Sequence, residues 1–395
     1  MEIKKLLGVE VTATVAGSHD TYYDNFKTAV KNKDDSVHLL MSHVHSGIDS
    51  LISGGYLKDF NSFDSINLDA DYWNDEFMET LAIDDRMFLG YSDFNALYTY
   101  VIAFNKTMMD QYYDSASIDG ETIYDVVTDY RWTLDKMNTL ASLVSIDKTG
   151  NGKTSDDTYG ITGVQWVPFI GFLQSSNVQL VDLNEEGNYV VSFYNQQTKD
   201  ITDGVIQILT ELSKSDYAWF RYRIEDTPEI HLQTGRTLME LKSTYHLSGL
   251  CDYDVEFGVL PYPMYNEAQA SVGYRHLQWG GYLCIPSYLG NPDMVGDTID
   301  ALSLCSKTVK TVSIEKMLGK RLDDAPDDAA VIELVWDTVV ADFGQTFSSL
   351  TGSLYMMPEL THQEEPNVAS YHDIMERSAN KSLKKFLTTV RTIYK

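Results

Sequence analysis

Apolar residues fall at two spacings along this chain, and the alternation between them predicts its layers. IKKLL near the start is amphipathic, and GVEVTATVAG alternates apolar and polar positions as a β-strand does. TYYDNFKTAVKNKDD carries its apolar residues at helical spacing. VHLLMSHV reads as a buried strand, HSGIDSLISGG as a short helix ended by Gly54 and Gly55, and YVIAFN as another strand. Helix and strand in such alternation predict α/β layers with much parallel pairing.

From Lys106 to about Asp254 the helical pattern strengthens. TIYDVVTDYRWTLDKMNTLASLVSI predicts helix, interruption and helix, and TKDITDGVIQILTELSKS a further helix. Between them YGITGVQWVPFIGFLQSSN predicts a strand, a loop and a helix, NYVVSFYN a short strand, and VEFGVLP a strand running into two prolines. QWGGYLCIPS then reads as a strand and NPDMVGDTIDALSLCSKT as a helix capped near Asn291 with Pro292 in its first turn. VIELVWDTVVADFGQ and SLKKFLTTVRTIYK close the chain as helices. No repeat has a fixed period and no low-complexity linker separates the segments, so two lobes sharing the chain in alternation are expected.

The 395 residues suffice for two such lobes, each with its own core. A formal net charge of -28 repels phosphate backbones and anionic lipid, which makes nucleic acid and membrane surfaces poor partners. Cys251, Cys284 and Cys305 have no CxxC spacing and read as thiols, not as a disulfide frame or a metal site. There is no run of 18 apolar residues, and MEIKKLLGVEVTATV is too short and interrupted for a secretion signal. A soluble chain, with any export signal removed or never present, is the expectation.

DKTGNGKTSDD is the richest local pattern. As a phosphate-binding loop it fails, because Asp147 stands where the first glycine is required and a helix precedes it. As a calcium loop it offers Asp147, Thr149 and Asn151 at alternate positions, the Lys153 carbonyl and Ser155, but Thr158 replaces the bidentate Glu. A polar turn explains the same residues without metal and is the preferred reading; structural calcium is the alternative, and no other cofactor is expected. His43 and His45 share one face of a strand end, where they suit hydrogen bonding to a ligand better than zinc, since no HExxH accompanies them.

The acid pairs Asp84 and Asp85, Asp323 and Asp324, Asp327 and Asp328, and Glu364 and Glu365 read as solvated faces, and no GxSxG elbow is present. No enzyme signature emerges. What recurs is an aromatic beside a polar residue in expected loops: Tyr72-Trp73-Asn74, Tyr91-Ser92-Asp93, Gln165-Trp166 and Gln278-Trp279. Aromatic faces pack on the C–H faces of sugar rings while neighbouring amides and carboxylates bond hydroxyls, so these pairs suggest carbohydrate.

Several segments in order resemble the extracellular solute-binding protein family 1, the sugar-type receptors of ABC importers. They are GYLKDFNSF with DYWNDEF, YVIAFNK, TYGITG, LQTGRTLM, FGVLPYPMYNEAQ and GGYLCIPS. The resemblance runs from about residue 1 to 310 and more loosely to the end. It implies an α/β, periplasmic-binding-protein-like class II fold: two α/β lobes joined by a hinge, with a ligand cleft between them. Residues 1–105 and about 264–310 would form lobe 1; 106–263 and about 311–395 would form lobe 2 and C-terminal helices. Relatives begin with an export signal, often with a lipid-anchored Cys, and then a strand; here Met1 falls inside the first helix.

Carried onto this chain, the resemblance implies a hinge at Asn105, Lys106, Pro261 and Pro263. It implies cleft residues His43, His45, Trp73, Tyr91 and Asp93 from the first lobe, Trp166 and Arg236 from the second, and Trp279 after the return. The expected function is capture of a mono- or oligosaccharide by an extracellular, lipid-anchored monomer that closes by hinge bending and delivers its ligand to an ABC permease, with no catalysis. A peptide, amino-acid or polyamine receptor, a secreted carbohydrate-active enzyme and a surface adhesin are the alternatives.

Overall fold

The computed structural model describes residues 2–18, 21–43, 47–96, 98–113, 120–222 and 232–395. Among these, strands β1 to β12 span Leu40–Met41, Tyr100–Asn105, Ser145–Ile146, Thr158–Val164, Val181–Leu183, Tyr189–Val191, Ala218–Arg221, Thr237–Ser243, Phe257–Leu260, His276–Leu277, Leu283–Cys284 and Val339–Val340. The centre of the second lobe is a six-stranded mixed sheet in the order β3-β4-β8-β2-β9, with β7 also paired to β4; β2 belongs to it, although the resemblance put residues 1–105 in lobe 1. β4 runs parallel to β7 and β8, while β2 is antiparallel to both β8 and β9. Helices cover this sheet, which is why β2 and β9 read as continuous apolar runs with almost every residue buried.

The amphipathic helix Lys199–Lys214 buries Val205, Ile206, Leu209 and Leu212 on one side. Leu134–Ser142, capped by the Thr133 hydroxyl, lies close enough to the sheet that a Cβ on Gly160 would fall 1.8 Å from the Ala141 carbonyl oxygen. Only glycine fits that approach.

The first lobe has little regular sheet. β1 pairs antiparallel with β11, and single bridges Leu57 to Pro286 and Gly90 to Leu283 extend the contact. GVEVTATVAG, expected as a strand, is not one. Residues 9–16 have the alternation but no ladder partner among the described residues, and Val15 is 92% exposed. Alternation states which face a strand would bury; a strand also needs a neighbour.

Several connections among the described residues tie the lobes. Thr99, fully buried, joins two of them: its N–H donates to Thr244 Oγ1 and its hydroxyl to the Leu277 carbonyl, while Thr244 N–H donates to the Thr99 carbonyl. Thr99 also bridges Gln278. A third is the helix Pro292–Leu318, about 40 Å long at 1.5 Å per residue. At one end Asp300 accepts from Trp73 Nε1 of the first lobe, and at the other the Met317 carbonyl meets Cys251 Sγ of the second.

The hinge expected at Asn105, Lys106, Pro261 and Pro263 is therefore corrected. Asn105 ends β2 and caps the helix Lys106–Tyr112 through its side chain, and Lys106 Nζ bonds Asp328 Oδ2 at 2.6 Å. The Pro261 carbonyl accepts from Trp132 Nε1, and Met264 N–H donates to the Trp132 carbonyl. All lie inside the second lobe, at the far end of β2 from Thr99. The prolines do end β9, but the chain continues to β10 before it returns.

The C-terminal helix Val368–Ile393 reaches both lobes. Its Asn380 accepts from Val191 N–H in the second, and Arg391 forms a two-pronged pair with Asp84 in the first. Next to it, the Tyr394 hydroxyl donates to the Leu57 carbonyl. No helix among the described residues is long and apolar enough to cross a membrane.

Candidate functional site

The segments that meet at Thr99 carry aromatic side chains into one cluster between the lobes. Trp279 follows the bridge residue Gln278, and its N–H donates to the Tyr98 carbonyl. Its indole meets the His43 imidazole edge to face at 5.3 Å, the Tyr100 ring at 5.6 Å and the Trp166 indole at 6.0 Å. Trp166 stands at the N-terminus of the helix Val167–Ser175, directly after β4, and stacks on Tyr355 at 6.2 Å. Tyr245 and His246 begin the turn after β8, with Tyr98 5.3 Å from Tyr245.

Two cavities flank this cluster. The larger, about 810 Å³, has His43, Tyr98, Tyr245, His246 and Trp279 at one end, and Phe26, Val37 and Leu40 at the other. The smaller, about 510 Å³, is lined by Tyr100, Trp166, Glu240, Lys242 and His246. Ser243 and His246 line both, so the two adjoin. Both volumes lie in the range of small-molecule sites.

Burial raises the hydroxyl pKa of Tyr100, and burial followed by the neighbouring Tyr245 raises that of Tyr98. Both phenols therefore keep their protons near neutrality and can donate. The crossing beneath the cluster is tight. A Cβ on Gly281 would sit 1.9 Å from the Ser42 carbonyl oxygen, and one on Gly280 3.2 Å from Tyr98 Cβ.

Of the residues expected in the cleft, the structure brings His43, Trp166 and Trp279 together. His45 lies outside the described residues. The other four are corrected. Trp73 is 5% exposed, donates to Asp300 Oδ1 and packs edge-on to Phe60; Tyr91 is 2% exposed and stacks on Phe77 at 4.0 Å. Both are core aromatics of the first lobe, because their neighbours along the fold are apolar.

Asp93 pairs with Lys310 of the crossing helix at 2.6 Å, and Arg236 donates to the Ser155 carbonyl at 2.7 Å, away from the cluster. Sequence reasoning missed Tyr98, Tyr100, Tyr245, His246, Glu240 and Lys242. An aromatic two residues past a strand end, as in LKSTYH, was the available signal.

The Asp147 loop is a self-closed turn. Asp147 Oδ1 accepts from the Thr149 and Gly150 N–H groups and Oδ2 from Gly152 N–H; these bonds hold its carboxyl below the usual range, with Gly152 the largest contributor. The Ser155 carbonyl accepts from the Arg236 guanidinium, and Lys153 Nζ donates to the Ser215 carbonyl. Among the described residues no group of three or more His, Cys, Asp or Glu could hold a metal.

No family model matches the chain, and no curated protein matches it. Solved structures do. The GacH receptor of Streptomyces glaucescens GLA.O, determined unliganded and with acarbose, aligns over 98% of this chain and 92% of its own with a TM-score of 0.61 at 14% identity. The ABC substrate-binding protein Lmo0181 of Listeria monocytogenes, in complex with cycloalternan, aligns over 100% and 94% with a TM-score of 0.59 at 12% identity. An ABC transporter solute-binding protein of Thermotoga lettingae, bound to α-D-tagatose, aligns over 97% and 94% with a TM-score of 0.58 at 15% identity. The chain has the two-lobed α/β fold of ABC-transporter solute-binding proteins.

Proposed function

We propose that this protein captures a carbohydrate between its lobes and delivers it to the permease of an ABC transporter, acting outside the membrane and without covalent chemistry. The observation that carries this reading is the cluster of Trp279, Trp166, Tyr100 and His43 at the point where the lobes meet, bordered by two adjoining cavities. Indole and phenol faces suit the C–H faces of pyranose rings, and protonated phenols, imidazoles and a serine hydroxyl suit their hydroxyls. The alignment with solute-binding proteins whose structures hold acarbose, cycloalternan and tagatose supports the same ligand class. A ligand that touches both lobes binds the closed form better than the open one, and that difference drives closure.

Titration calorimetry of the purified chain against a panel of neutral mono- and oligosaccharides, with chromatography of the sugar afterwards, tests this. Binding with the sugar recovered intact supports capture, and shortened products would overturn it in favour of an enzyme. Silence across sugars with a response to peptides or polyamines would favour a receptor for those ligands.

A further inference from the structure

β8 brings two charged residues to the smaller cavity. Glu240 and Lys242 are two apart on the strand and so share one face of the sheet. Lys242 Nζ donates to Glu240 Oε1 at 2.7 Å, and Glu240 Oε2 accepts from the Leu232 N–H at 2.7 Å. The side chains are only 11% and 5% exposed, and both line the cavity that Tyr100 and Trp166 also border. Burying an ion pair strips water from two charges, and apolar residues of the same volume commonly serve stability as well or better. The pair therefore calls for a use beyond packing.

We propose that Glu240 and Lys242 together read a vicinal diol on the bound sugar, and so act as specificity-determining residues. This rests on the carbohydrate reading above. A carboxylate accepts at about four positions and an ammonium donates from three hydrogens, so two such groups in contact with each other can each also serve a ligand hydroxyl. One hydroxyl donates to the Glu240 carboxylate and its neighbour on the ring accepts from Lys242 Nζ. The 2.7 Å between Nζ and Oε1 is close to the spacing of two gauche hydroxyls on a pyranose.

Tyr100 and Trp166 border the same space and supply aromatic surface for the ring's C–H groups. Hydrogen bonds to charged groups are the stronger kind, and a site built around them discriminates steeply against a ligand that lacks one hydroxyl.

The test is calorimetry with maltotriose, cellotriose and laminaritriose, and with monodeoxy analogues of each, on the wild type, Glu240→Gln, Lys242→Met and the double variant Glu240→Gln/Lys242→Gln. The double variant removes both charges while leaving polar amides that can bond each other, and carries the test if a single variant fails to fold. The expected result is at least a tenfold loss of affinity in the variants. In addition, the penalty the wild type imposes on the analogue lacking one hydroxyl of the diol disappears in them, which a purely structural role would not produce. Wild-type binding with folded variants within twofold of it overturns the diol proposal and leaves carbohydrate capture standing. No binding of any of these sugars by the wild type, with peptides or polyamines bound instead, overturns both.

Discussion

The Trp279 indole stands edge-on to that of Trp166, with 6.0 Å between ring centroids and 77° between planes. One arrives on the return from β10 and the other at the mouth of β4, so the contact is made only when the lobes are assembled around Thr99. Trp279 is the hub, since His43 and Tyr100 meet the same ring.

Trp279→Ala should therefore weaken sugar binding by about 2 kcal/mol or more, roughly thirtyfold in Kd, as the loss of a central aromatic anchor does. Calorimetry with a sugar bound by the wild type measures it, and an unchanged Kd would place binding elsewhere on the molecule.

Gly281→Ala should destabilise the closed crossing. The new Cβ would lie 1.9 Å from the Ser42 carbonyl oxygen, a backbone atom that cannot rotate away. Overpacking of this kind costs about 1–3 kcal/mol. Urea unfolding of the two proteins reads the difference, and a variant as stable as the wild type would mean that the two segments separate easily.

Asp342 should make stability depend on pH. It is fully buried and accepts from the Leu180 and Gln345 N–H groups, yet burial pushes its pKa from 3.8 up to about 6. Between those values the folded chain holds a proton that the unfolded chain has released. The contribution is thus fully present below about pH 4 and lost as pH rises through 6, on the order of 3 kcal/mol in all. The stability of the wild type relative to Asp342→Asn should fall between pH 4 and pH 7 in urea titrations. A difference that stays flat across this window would remove Asp342 as the titrating group.

Calcium and chelator should both leave the thermal midpoint unchanged, because Asp147 already accepts from three backbone N–H groups of its own loop. Asp147→Ala should speed hydrogen exchange at Thr149, Gly150 and Gly152. A calcium-dependent rise in the midpoint that Asp147→Ala abolishes would restore the metal reading.

Several strands of the six-stranded sheet were legible along the chain, though not that Tyr100–Asn105 joins them in the second lobe. YVIAFN, TYGITGV and FGVL are apolar runs that helices must cover, and they appear as β2, β4 and β9. The first lobe was less so. VEVTATV alternates without a ladder partner among the described residues. In the second lobe, VIELVWDTVVADFGQ, expected as one helix, breaks after Asp337 into β12 and a short helix at Phe343–Thr346. The hydrogen bond from His276 N–H to the Thr338 carbonyl, which pairs β12 with β10, decides that break.

The candidate site divides in the same way. Trp73 and Trp279 each sit beside a polar residue, and nothing local separates them. Asp300 and Phe60 draw Trp73 into the first lobe's core, whereas the turn after Gln278 holds Trp279 between the lobes.

By itself the sequence determined the layered α/β character, the caps and the apolar faces, because these depend on residues within a few positions of one another. Only the tertiary structure decided where the lobes cross, which aromatics meet and which acids are spent on turns. Those outcomes depend on partners distant along the chain, such as Thr99 with Leu277, whose approach no local spacing encodes.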